Sequence, residues 1–489
     1  MTLSPAVAVI GAGPGGIAMG VQLAAAGYDF TIFERSAGFG GTWRNNTYPG
    51  AACDVPSHFY SFSFALNPYW SKTFAGQPEI MAYLEGVAGD HGLGRHLRSD
   101  TAVVALDWDG DEHRWTVTTA AGEQSRFDVV VSAVGMLDVP NIPDIPGAEQ
   151  FTGRLFHSAR WDHSRSLAGE RVGAIGTGAS AIQYIPAIAP ETEHLTVFQR
   201  TPTWVAPRIE ERFTAEQHDA FARDPELALH LRQKAFEDYE LANFDADSPL
   251  TEHLTKTSQK HLMAGIPDPE LRAKLTPDYP VGCKRPLSSM TWFPTLMRTN
   301  VTVETSPIVE FTTGGVRTAD GAEHLLDTVI YGTGFKAADY LAGLDVCGAG
   351  GRRLRDDWSD GAEAYLGTVV PGYPNFFTLY GPNTNGVTSM IYILEAQAEF
   401  VRRTLDEMVE QDAAAVEIRR DVHDAYNTEI QDALVGTVWQ ANCNNYFRHV
   451  SGKIVTQFPY SGKVFAERLA RAESSDFVWT SRAGAGGRR

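Results

Sequence analysis

The sequence predicts an α/β chain made from two copies of one βαβ unit, with a helical insertion lodged in the second copy. Three observations carry this. A short apolar run leads into a glycine-rich turn and a small-residue helix at residues 6–33. The same order recurs at residues 170–201. Between residues 209 and 278 the text becomes charged and helical, with few strand signals.

In the first unit, Ala6 to Ile10 suits a buried parallel strand. Ile17 to Ala26 reads as a helix stopped by Gly27, and Phe30 to Phe33 as the next strand. Residues 99–135 are β-rich, with alternation and turn signals. Residues 139–147 (VPNIPDIPG) are a proline-rich linker, which places a boundary there. The second unit follows with strand, GTGAS turn, helix and strand. Strand signals return at residues 300–321, and residues 325–335 form a buried strand ending in a glycine turn. From about Leu394 the text is largely helical as far as residue 452. The expected division is 1–140 and 326–489 for the first unit, 148–208 and 281–325 for the second, and 209–280 for the insertion.

The first turn is Gly11-Ala12-Gly13-Pro14-Gly15-Gly16, a GxGxxG between strand and helix. Glycines there allow a tight turn and let backbone N–H groups approach a pyrophosphate at a helix N-terminus. Glu34 closes the next strand about 20 residues on, where an acid bonds ribose hydroxyls. The second turn is Gly176-Thr177-Gly178-Ala179-Ser180-Ala181, with alanine as the allowed third residue. Arg200 and Thr201 stand where the acid would be, and a cation there suits a 2′-phosphate. The units therefore read as two Rossmann-like dinucleotide-binding domains, the first for FAD and the second for NADPH.

Composition narrows the partners. The 489 residues carry 41 Lys and Arg against 60 Asp and Glu, a net charge of -19 that repels nucleic acid and anionic membrane. The charge-free opening, residues 1–28, is broken by glycines and lacks a basic start, so it reads as neither signal peptide nor membrane span. Cys53, Cys283, Cys347 and Cys443 form no CxxC pair, so neither a disulfide nor a metal site is expected, and a reducing cytoplasm is the simplest home.

Two dinucleotide loops in one chain imply hydride transfer from NADPH to FAD. Disulfide reductases carry a redox cysteine pair after the first unit. Residues 40–62 hold one cysteine, which leaves O2 as the natural acceptor. At this point the residues resemble a known family. Phe151-x-Gly153-xxx-His157-xxx-Trp161-Asp162 is similar to the fingerprint of type I Baeyer–Villiger monooxygenases. Gly41-x-Trp43-xxxx-Tyr48-Pro49-Gly50-xxx-Asp54 resembles their second fingerprint, and QRTPTWVAPR, GCKRP, YGTGF and LYGPNT extend the likeness over most of the chain.

The resemblance implies roles. Arg285 would stabilise a C4a-peroxyflavin anion, and Asp54 would orient and charge-balance it. Lys284 would join Arg200 at the 2′-phosphate. Gly41, Thr42, Trp43 and Tyr48 would wall the flavin, and the Gly381-Pro382-Asn383 turn would approach it. His157 and Trp161 would be structural, between the domains. The implied activity is insertion of one oxygen of O2 beside a ketone carbonyl, giving an ester or lactone. A related oxygenase acting on sulfides or amines, and a plain NADPH reductase, stay open.

Overall fold

The computed structural model describes residues 4–482 except 241–244, 247, 387, 442 and 444. Two five-stranded parallel sheets organise it. In the first, the strands run in the order Phe376–Thr378, Val129–Ser132, Val7–Ile10, Phe30–Phe33, Leu97–Arg98. In the second, the order is Arg154–His157, Thr328–Tyr331, Arg171–Ile175, His194–Phe198, Val301–Glu304. Each glycine turn leaves the central strand, and each central strand is flanked by the next strand in sequence and by a returning one. An antiparallel ribbon precedes the returning strand in both units, residues 103–127 in the first and 308–325 in the second. The central strand Val7–Ile10 is apolar and buried along its whole length, and Arg171–Ile175 is so over Val172 to Ala174, because helices or ribbons cover both faces.

The sheet corrects one boundary. Thr328–Tyr331 pairs with both Arg154–His157 and Arg171–Ile175, so the second unit runs to Tyr331 and not to residue 325. The two crossing segments then lie side by side. Asn141 N donates to Gly334 O at 2.8 Å, and Lys336 N to Val139 O at 3.0 Å.

The insertion is helical as expected, over Ala215–Arg223, Pro225–Glu240, Pro249–Gly265 and Pro269–Leu275. Polar N-caps start three of them. Thr214 and Gln217 form a reciprocal capping box, and Ser248 and Asp268 each accept a backbone N–H. Its first half docks on the first unit, where Phe236 and Tyr239 pack against Phe59 and Arg232 meets Glu395 at 3.0 Å. Its second half buries Leu262 in the second unit's core. The C-terminal region holds helix Met390–Glu410, packed on Pro14–Ala26, and a strand pair, Ala413–Ile418 with Phe477–Ser481, that the helical reading missed.

The cysteine reading is also corrected. Cys283 and Cys443 are joined in a disulfide, 160 residues apart in sequence with Cα atoms 6.4 Å apart. Spacing along the chain gave no sign of it, because the fold brings two distant segments together beside Trp204, Tyr279 and Val281. Cys53 and Cys347 are free. Among the described residues no helix is long and apolar enough to cross a membrane, and no His/Cys/Asp/Glu group could hold a metal ion.

Candidate active site

Close backbone approach leaves no room for a side chain at Gly11 or Gly16 of the first loop, nor at Gly41 beside it. Gly11 has φ +105°, and a Cβ there would lie 2.7 Å from Ala133 O. One on Gly16 would lie 2.0 Å from Gly11 O. Gly41, at φ +54°, packs on Gly13 so closely that its Cβ would sit 2.7 Å from Gly13 Cα. Gly15 is nearly as tight, with Leu394 at 3.2 Å. Helix Pro14–Ala26 starts here with no side-chain cap and no acid in its first turn, so its free N–H groups and positive dipole end are left for an anion. Glu34 is buried. Its Oε2 accepts Ala12 N and its Oε1 accepts Ser36 N, both at 2.8 Å, each oxygen has capacity for a further donor, and the residue lines the cavity.

Residues 41–54 then run from this loop to the second unit. Thr42 and Trp43 belong to the one-turn helix Thr42–Asn45, and Trp43 Nε1 donates to Tyr60 Oη at 2.9 Å. Tyr48 lines the cavity but gives its hydroxyl to Gln183 at 3.0 Å and its ring edge to Tyr184, so it is a joint between units as much as a wall. Gln183 also donates to Ala52 O at 3.0 Å and accepts Ala52 N at 3.3 Å. Sequence reasoning missed Gln183, since a glutamine on a helix carries no signal of what it faces.

The second loop repeats the strained entry. Gly176 has φ +109°, and its Cβ would lie 2.5 Å from Gly332 O. Thr177 Oγ1 donates to Thr201 O at 3.3 Å, and Ala181 is fully buried at the start of helix Ala181–Ile188 behind Ser180. A Cβ on Gly178 would meet nothing within 4 Å. Arg200 and Lys284 both line the cavity. Burial lowers the Lys284 pKa, and the charge of Arg200 lowers it further, against a weaker pull from Asp278. Two cations that repel each other in one place make a site for a doubly charged anion.

Arg285 closes the arrangement. Its Nε and Nη2 both meet Asp54, at 3.1 and 2.8 Å. Burial pushes the Asp54 carboxyl up, but Arg285 more than offsets this and holds it below the ordinary value. Asp54 in turn raises Arg285, against burial, so the pair stays fully charged. Asp54 comes from the first unit. Arg285 comes from the segment after the insertion, held by the pairing of Leu287–Ser288 with Val205–Ala206. Their side chains are 33% and 41% exposed, and both face one cavity of about 1750 Å³ into which the two glycine loops also open.

Further walls come from Tyr60, Tyr239, Tyr380, Trp439 and Tyr446, which sequence reasoning did not name. The Gly381-Pro382-Asn383 turn does not line the cavity. Asn383 is buried and donates to Ile454 O and Gln457 O, so its neighbours Tyr380 and Asn385 face inward instead. Phe151, Gly153, His157 and Trp161 of the fingerprint are also off the cavity, which Arg160 alone of that segment reaches. Phe151 packs on Phe311, and a Cβ on Gly153 would strike Phe151 and Asp327 O. His157 is buried, pairs in register with Tyr331, and accepts Ala159 N at Nδ1. Burial lowers its pKa. Trp161 lies between Phe156 and Tyr184. These contacts lie within the second unit, and the His157 ring also meets Phe335 edge-on just after its last strand.

Comparison with known proteins agrees with this geometry. Residues 4–217 match the flavin-binding monooxygenase-like family. The chain is 42% identical to a Baeyer–Villiger monooxygenase of Streptomyces coelicolor, over 96% of this chain and 92% of that one. The closed crystal structure of cyclohexanone monooxygenase superimposes with a TM-score of 0.89 at 29% identity, covering 99% of this chain and all of that one. A crystal structure of OTEMO in complex with FAD and NADP gives 0.88 at 28% identity, over 98% of this chain and all of that one. On its residues, its fold and these relatives, the chain belongs to the Baeyer–Villiger monooxygenases, the FAD- and NADPH-dependent enzymes that insert oxygen beside a carbonyl.

Proposed function

We propose that the chain converts a ketone to an ester or lactone in the shared cavity, with FAD on the first loop, NADPH on the second and Arg285 at the reacting oxygen. The observation that carries this reading is the Arg285–Asp54 pair, presented to the cavity where both loops open. The residues present fit the two cofactors. Glycines at 11, 16 and 41 let the first loop close tightly on its own backbone at an uncapped helix N-terminus, and Arg200 with Lys284 form a cationic pocket beside the second loop. When bound, FAD and NADPH supply the reducing power and activated oxygen that side chains lack.

The chain's own groups then do the rest. Arg285 holds a fixed positive charge where negative charge develops on oxygen, and a preorganised cation needs no rearrangement as the reaction proceeds. Asp54 occupies the Nε and Nη2 edge of the guanidinium, which fixes its plane and leaves Nη1 for another acceptor. Glu34 offers carboxylate lone pairs to ribose hydroxyls. Lys284 and Arg200 select the 2′-phosphate. With both cofactors seated, the aromatic walls would cover much of the exposed Arg285–Asp54 pair, which would strengthen its charge interactions.

The test is turnover of the purified, flavin-loaded protein with a ketone panel and a sulfide. A product one oxygen atom heavier than the ketone, formed with matched NADPH consumption, is expected. Sulfoxide formation with every ketone untouched would overturn the ketone reading in favour of heteroatom oxygenation.

A further inference from the structure

The disulfide lies two residues from Arg285 and has no part in the chemistry above. Cys283 is fully buried among Trp204, Tyr279 and Val281, with Leu254 of helix Pro249–Gly265 and Ala441 packed alongside. Cys443 is partly exposed. The bond therefore ties the Lys284-Arg285 segment to the C-terminal segment that carries Asn445 and Tyr446. Asn445 Nδ2 lies 3.6 Å from Cys443 Sγ and donates to Trp439 O at 3.3 Å. Arg448 donates to Trp439 O at 3.2 Å, so the C-terminal segment is itself braced. Tyr446 and Arg285 line the same cavity. Burial raises the Tyr446 phenol and Arg285 draws it back down, which places the two side chains within electrostatic reach.

We propose that Cys283 and Cys443 are a redox-switched positioning pair for Arg285: joined, they hold the Arg285 segment against the Tyr446 segment and keep O2 consumption coupled to oxygen insertion; as free thiols, they let the two segments part. The proposal rests on the role given to Arg285 above. The chemistry balances with a peroxide as oxidant. The Cys443 thiolate, the partly exposed one, attacks hydrogen peroxide, and the O–O bond breaks to give a sulfenic acid and hydroxide, which takes up the thiol proton as water. Cys283 then attacks that sulfur, the S–S bond forms and a second water leaves. Two thiols and one peroxide become one disulfide and two waters. Peroxide is also what a flavin oxygenase releases when oxygen is reduced but not transferred. A leaking enzyme would thus make the oxidant that closes its own pair. Reopening needs a dithiol, which attacks Cys443 Sγ, expels the Cys283 thiol, and leaves as its own disulfide.

The experiment uses the flavin-loaded enzyme with NADPH and O2. With no organic substrate present, the rate of peroxide release per enzyme is measured before and after treatment with dithiothreitol and after re-oxidation with hydrogen peroxide, each reagent being removed first, in the native chain and in Cys443→Ser. Non-reducing peptide mapping reports the bond in each sample. The native chain is expected to release peroxide roughly ten-fold faster when reduced, within the ~10²-fold that a misplaced group can cost, and to recover on re-oxidation. Cys443→Ser should release peroxide at the reduced level under all conditions, with flavin reduction by NADPH unchanged. The proposal is overturned if mapping finds no 283–443 bond in oxidised enzyme, if complete reduction leaves peroxide release unchanged, or if Cys443→Ser still responds to the dithiol. The readout needs no ketone product, so failure of the ketone reading shows separately.

Discussion

The two units share a strand order and a strained glycine, yet they grip their loops differently. Gly11 and Gly176 have nearly the same φ, +105° and +109°, and each lies against the carbonyl of a residue just after the returning strand. Beyond that point the first loop is enclosed by protein. Gly41 presses on Gly13, Leu394 on Gly15, and buried Glu34 is tied to two backbone N–H groups. The second loop is open above Gly178 and faces a cavity that Arg200 and Lys284 also line. An enclosed site suits a cofactor that stays, and an open cationic one suits a cofactor that exchanges. The same topology thus yields a resident site and a substrate site by changing what covers the glycines.

The sharpest break in that comparison is Arg285, which the second unit's side of the chain lends to Asp54 of the first. Arg285→Ala should cut product formation by about 10²–10³-fold, as when one preorganised group for developing charge is removed. Anaerobic bleaching of the flavin by NADPH should persist, because that step uses the two loops alone. Product formation at the native rate would remove Arg285 from the assigned role. Next in size is the cationic pocket. Arg200→Ala and Lys284→Ala should each raise the KM for NADPH about 10- to 100-fold, the value of a charge-assisted hydrogen bond, and leave the KM for NADH nearly unchanged. Equal losses for both coenzymes would show that the pocket does not read the 2′-phosphate.

Much of this was legible beforehand because glycine loops are local. Gly11 to Gly16, Gly176 to Ala181, Glu34 and Arg200 needed only short-range spacing. The helical insertion showed in charge and periodicity. What was not legible is what depends on two distant segments meeting. The Cys283–Cys443 bond, the Gln183–Ala52 clasp and Tyr446 beside Arg285 join residues more than 130 positions apart. The strand Thr328–Tyr331 was placed after the second unit ended because a buried parallel strand reads alike in either sheet. The family resemblance implied that the Gly381-Pro382-Asn383 turn approaches the flavin, whereas the Asn383 side chain donates to two backbone carbonyls and the turn does not line the cavity.

Smaller effects probe the joints between the units. Gln183→Ala removes bonds to both polar atoms of the Ala52 backbone and to the Tyr48 hydroxyl. It should cost ~1–3 kcal/mol of stability by leaving Ala52 unpaired, and peroxide release should rise as Asp54 loses its support. An unchanged Tm and unchanged coupling would show that the units are held elsewhere. At the other joint, His58 sits edge-on to Phe213 and Phe221 where the insertion docks. Burial, with His218 nearby, lowers its pKa from 6.5 to about 4. The unfolded chain therefore binds the proton more readily than the folded one. No penalty is felt above pH 6.5, and stability falls as pH drops from 6.5 toward 4, by at most ~3 kcal/mol. Tm measured across that range should fall further in the native chain than in His58→Leu.

The smallest expected effect on the fold is the one that sharpens the comparison most. Gly178 does not need a left-handed backbone, and a Cβ there meets nothing within 4 Å. Protein packing therefore gives no reason for glycine, and Gly178→Ala should change stability by no more than ~0.5 kcal/mol. A nucleotide pyrophosphate resting on the second loop does give a reason, because it brings the ligand within van der Waals distance of the backbone. The substitution should leave Tm and bound FAD as they are and raise the KM for NADPH. In the first loop these effects cannot be separated, since any side chain at Gly16 strikes Gly11 O and unsettles fold and cofactor together. Should Gly178→Ala lower Tm as well, the second loop is closed by contacts like those of the first, and the contrast between a resident and an exchanging site fails.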